Sequence, residues 1–100
     1  MSVRITVVKR SLNEDIVEAY FPERKGKIVP CGVFQDGQVF EIKGRVPEKP
    51  QGFCDWAWVD IHQIVAMAFV SVEPPHGLAF PCCTDGLRPV TFRIESVKDE

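Results

Sequence analysis

Residues 54–70, CDWAWVDIHQIVAMAFV, decide how the rest of the chain is read. Trp58, Ile61, Val65, Ala68 and Phe69 recur at intervals of three and four, the spacing that lines side chains along one face of an α-helix. This predicts a helix over residues 55 to about 70, closed by Pro74 and Pro75. Its most apolar run, residues 64–70, is far shorter than the roughly 20 residues that cross a bilayer. The stripe is therefore expected to face a protein core and not lipid.

Working outward, Val3, Ile5 and Val7 alternate with Arg4 and Thr6, which places three β-branched side chains on one face of a strand. The period then changes: in SLNEDIVEAYF, Ser11 or Asn13 can cap a short helix with Leu12, Ile16, Ala19 and Tyr20 as its inner stripe, ended by Pro22. CGVFQDGQVFEIKG carries Asp36-Gly37 between two apolar pieces, the signature of a tight hairpin, with Phe40 and Ile42 on one face. RVPEKPQG, with two prolines and a glycine, is read as a surface loop. Beyond the long helix, Asp85-Gly86 is expected to join a strand ending near Thr84 to one over residues 87–97, where Val90, Phe92 and Ile94 alternate with polar positions. The order β-α-β-β-α-β-β implies an α+β fold: an antiparallel or mixed sheet with two helices on one face, forming a single domain over residues 1–100. The inner face is expected to hold Val3, Ile5, Val7, Phe40, Ile42, Trp58, Ile61, Val65, Phe69, Val90, Phe92 and Ile94.

Twelve Lys and Arg against fourteen Asp and Glu leave a net charge of −2, which supplies no general attraction to nucleic acid or an anionic membrane. The one basic run, Arg24, Lys25 and Lys27, reads as a solvated loop. The amino-terminal stretch MSVRITVVKRS lacks the apolar core and cleavage site of a secretory signal, so the expected compartment is the cytoplasm. There the four cysteines are expected as free thiols, metal ligands or redox centres and not as a disulfide framework. No Cys-x-x-Cys, Gly-rich phosphate loop, His-Glu-x-x-His or Gly-x-Ser-x-Gly motif points to a known chemistry, and no catalytic residue is assigned.

The segments GFCDWAWVDI and CCTDGLRPVTFRI, with PCGVFQDGQVF, resemble a family of small uncharacterised proteins of about this chain's length, found mainly in anaerobic bacteria and archaea. The resemblance matches Cys31, Cys54, Cys82 and Cys83, the aromatic Trp56 and Trp58, and the turn residues Asp85, Gly86, Arg88 and Pro89. It departs at Gly32 and Asp55, where the family pattern favours proline. It implies a shared fold but no reaction, because that family carries no established activity.

From the residues alone, Cys54 stands at the start of the long helix, where free N–H groups and the helix dipole favour a thiolate. Three readings follow. Cys31, Cys54 and one or both of Cys82 and Cys83 gather at one pole of the sheet and bind zinc, iron or an iron–sulfur cluster. Alternatively, Cys54 performs thiol redox chemistry with a neighbouring cysteine. In the third, the chain is a non-catalytic interaction or structural module and the cysteines are core residues. Side chains of adjacent strand residues point to opposite faces, so Cys82 and Cys83 share a centre only if the strand is bulged. His76 is a weak further ligand, and His62 lies too far along the helix. Asp85 and Arg88 are read as turn formers with a local ion pair in preference to an acid and an anion binder. Trp56 and Trp58, about 200° apart around a helix, cannot share a face. Trp58 belongs to the core stripe, leaving Trp56 to cover the Cys54 region, to meet a ligand, a protein partner or a second subunit, or to be covered by the chain's own loop 43–53.

Overall fold

The computed structural model describes residues 2–44, 46–70, 74 and 77–97. Strand β1 (Ser2–Arg10) leads into helix α1 (Glu14–Tyr20) and a 3-10 turn (Pro22–Arg24); β2 (Val39–Ile42), α2 (Asp55–Phe69) and β3 (Val90–Val97) follow. The three strands form an antiparallel sheet in the order β2-β1-β3. The architecture is the expected small α+β fold. Pairing of Val3 with Ile42, and of Ile5 with both Phe40 and Ile94, stacks the alternating apolar residues of all three strands on one face. α2 lies on that face through Ala57, Ile61, Val65 and Ala68. All twelve residues expected on the inner face are buried in one core cluster or packed against it. The opposite face carries Arg4, paired with Glu41 and Glu95 at 3.2 and 3.8 Å.

Four details differ from the sequence reading. Asp36-Gly37 forms a turn, with Gly37 at φ 81° and Gln38 N–H donating to Gln35 O at 3.1 Å. It feeds the chain into β2 instead of closing a hairpin, because the residues before it are irregular and β2 pairs with β1. The strand expected before Thr84 is reduced to an isolated bridge between Cys82 and Thr91. Ala79 O and Pro81 O accept from Ile94 and Phe92 N–H, and Cys83 N–H donates to Val90 O, but Pro81 has no N–H to continue a ladder. Third, β3 begins at Val90 and not at residue 87, since Pro89 likewise cannot donate, although Pro89 O and Leu87 O still accept from Ser11 and Asn13 N–H. Last, α1 buries Val17 in place of the expected stripe, and it packs against the 3-10 turn, leaving α2 as the helix laid on the sheet.

β1 carries one extra residue relative to β3 between Val7 and Lys9, a bulge that leaves Val8 45% exposed. Past it, Arg10 turns toward the loop before β2: its N–H and Nε donate to Asp36 Oδ1 at 3.0 and 3.2 Å, and its Nη1 donates to Cys31 O at 3.0 Å. No helix among the described residues is long and apolar enough to cross a membrane.

Candidate functional site

The expected site residues stand on three segments that meet at one end of the sheet. Phe34, close after Cys31, lies 5.0 Å from Phe53, the neighbour of Cys54, and 5.2 Å from Phe92. Phe92 N–H in turn holds Pro81 O, next to the cysteine pair. Cys31, Cys54 and Cys83 are half-buried and pack on the same core cluster, whereas Cys82 faces solvent. The pair thus follows strand alternation, one thiol in and one out. Cys83 Sγ accepts Val90 N–H at 3.3 Å, taking the place a backbone carbonyl would hold in a regular ladder.

Cys54 occupies the N-cap of α2 with no side-chain capping bond. Lys49 closes that end of the helix, donating to Phe53 O at 3.2 Å and to the Asp55 carboxylate. All four cysteines are free. Among the described residues no group of three or more His, Cys, Asp or Glu side chains is disposed to hold a metal ion. His62 is exposed, its Nδ1 at 3.0 Å from Val59 O, and His76 lies outside the described residues.

The segment after the cysteines is fastened on two sides by residues whose roles the sequence did not announce. Thr84 N–H and its hydroxyl donate to Asp60 Oδ2 at 2.8 and 3.2 Å, and the same hydroxyl accepts Trp56 Nε1–H at 2.5 Å. On the other side Asn13 Nδ2 donates to Gly86 O at 2.6 Å. Asp60→Ala, which removes a charged acceptor from both Thr84 donors, is expected to cost about 1–2 kcal/mol. Urea unfolding checks this, and an unmoved midpoint would show that the fastening is incidental.

Asp85-Gly86 is an Asx turn within the loop 84–89. Asp85 Oδ1 accepts Leu87 and Arg88 N–H at 3.0 and 2.9 Å, and Oδ2 lies 3.4 Å from Arg88 Nε. The Arg88 N–H chiefly, with that of Leu87 and the Arg88 guanidinium, holds the Asp85 carboxyl below the ordinary carboxylate range against the opposing effect of burial. A carboxyl whose folded-state pKa is depressed stabilises the fold above its unfolded value, and that contribution is lost as pH falls through the folded value. Asp85→Asn is therefore expected to be less stable than the parent at neutral pH, by a margin that narrows below about pH 4. A margin constant from pH 7 to pH 3 would contradict the charge argument.

Trp56 is 68% exposed, while Trp58 is half-buried against the core and meets Phe53 edge-on at 6.0 Å. Compared with known proteins, the chain matches no family model, no curated protein and no solved structure.

Proposed function

We propose that the protein is an interaction module whose working surface is the outer side of α2 around Trp56. The observation carrying this reading is a large aromatic side chain left in solvent yet held by its indole N–H on Thr84. A tryptophan fixed in this way presents a rigid apolar face at low entropic cost, as binding anchors do. Val59, one turn on, is equally open. A photo-crosslinking residue placed at Val59 in cells is expected to give an adduct that disappears with Trp56→Lys and is absent when the probe sits at Glu18 on α1. Equal adducts at Val59 and Glu18 would overturn the proposal.

A second reading is supported by three half-buried thiols, those of Cys31, Cys54 and Cys83, each packed against the protein's core, with a backbone N–H aimed at the Cys83 sulfur. In it the protein is a thiol protein of a reducing cytoplasm: either the Cys54 thiolate attacks a partner's disulfide, releasing one partner sulfur as a thiolate, and a neighbouring cysteine resolves the mixed disulfide by displacing the other, or the thiols take up zinc, iron or an iron–sulfur cluster. The metal version requires the thiols to draw together on binding. Metal stoichiometry and thiol-labelling rates of the parent and Cys54→Ser, both prepared without oxygen, test it. Metal-free parent protein whose half-buried thiols react slowly would remove this reading.

A further inference from the structure

α2 has two apolar faces. Successive residues advance about 100° around a helix, so Trp56, Val59, Gln63 and Ala66 of α2, together with its C-cap residue Val70, fall within an arc of about 80°. That arc lies opposite the one formed by the buried Ala57, Ile61, Val65 and Ala68. Trp56, Val59 and Val70 are 68%, 68% and 69% exposed, and no Lys or Arg occurs anywhere in residues 55–70. A helix apolar on two sides is built to be covered on two sides, and the sheet covers one.

Resting on the reading of α2 as a docking surface, we infer that its occupant is a second copy of this chain, joined by antiparallel packing of α2 on α2 about a two-fold axis at Gln63. The outer residues follow the alternating three- and four-residue spacing of a two-helix seam. Gln63, exposed at the midpoint, has Trp56 and Val70 equally far on either side. Reversing one helix over the other sets Trp56 of each copy against Val70 of its partner, and Val59 near Met67. The two Gln63 amides, each both donor and acceptor, meet on the axis. This is the self-complementarity a two-fold interface requires. A parallel pairing would instead set Trp56 against Trp56 and align the two helix dipoles unfavourably.

The exposed surface also sets the strength of the pair. Trp56, Val59 and Val70 together offer roughly 300–400 Å² per copy, about half the ~800 Å² of a standard partner surface. The dimer is accordingly weak and concentration-dependent.

Sedimentation velocity of the full chain over a series of rising concentrations tests the inference. The parent is expected to pass from monomer to dimer as concentration rises. Trp56→Lys and Val70→Glu, each alone, are expected to weaken association by at least about ten-fold; both positions are exposed, and circular dichroism checks that the variants stay folded. Mixing the two variants is expected to restore a dimer, because the introduced lysine then faces the introduced glutamate. A parent that is monomeric throughout, or variants that dimerise as the parent does, would overturn the inference. So would a mixture that fails to associate. The Val59 photo-crosslink separates the two proposals: a Trp56-dependent adduct of another mass keeps the docking surface and removes the second copy, and no adduct removes both.

Discussion

Replacing Phe34 by alanine is expected to cost the fold about 3–5 kcal/mol. Phe34 stands in irregular backbone before β2, yet it is 1% exposed and is among the largest fully buried side chains. Its ring meets Phe40, Phe53 and Phe92 edge-on, at centroid distances of 6.0, 5.0 and 5.2 Å. Those rings come from β2, from the residue before the N-cap of α2 and from β3. Removing Phe34 leaves a cavity among three elements that cannot all collapse into it, so the transfer loss and the void add. Chemical denaturation measures the cost, and a loss under 1 kcal/mol would mean that the aromatic cluster repacks freely.

Labelling of the four thiols is expected to separate into one fast and three slow reactions, with a gap of at least about ten-fold. Cys82 is exposed, whereas Cys31, Cys54 and Cys83 pack against the core, and Cys83 also accepts the Val90 N–H. A half-buried thiol reacts through local opening and therefore responds to the stability of its surroundings. Cys82→Ser should abolish the fast phase, and Phe34→Ala should accelerate the slow ones. A fast phase that survives Cys82→Ser and vanishes in Cys54→Ser would contradict this order and transfer weight to the thiol reading.

Two of the three strands, the central β1 and the edge strand β3, were legible because Val3, Ile5, Val7 and Val90, Phe92, Ile94 repeat with period two on one buried face. The separation of Trp56 from Trp58 followed from helical geometry in the same way. Phe34 and Phe53 were missed because burial in irregular backbone leaves no period to read. Two Asp-Gly pairs of identical sequence diverged for a local reason. Gly37 takes the left-handed backbone that a tight turn uses, while Asp85 spends its carboxylate on the next N–H groups and opens a wider loop. The fastenings of the candidate site lay beyond local pattern. Thr84 reaches Asp60 across 24 residues and Asn13 reaches Gly86 across 73, and only the folded chain brings such partners together. The inward and outward turning of Cys83 and Cys82 was anticipated as one outcome of strand alternation, although the strand itself is hardly formed.

The middle position of β1 has a kinetic meaning. Its residues are the first of the sheet to be synthesised, but Ser2 pairs with Val97, a separation of 95 positions, and Val7 pairs with Phe92. Closing so long a loop costs entropy before any contact repays it, and proteins dominated by such distant pairings fold slowly. On the ribosome, β1 and β2 can meet early, but Val3, Ile5 and Val7 cannot be enclosed until residues 90–97 have emerged. Until then β1 is an open edge carrying three β-branched side chains, the kind of segment that adds strands from other molecules. The interval between synthesis of β2 and of β3 is therefore the period in which this chain is most prone to aggregate, and slowing translation there should lower its soluble yield.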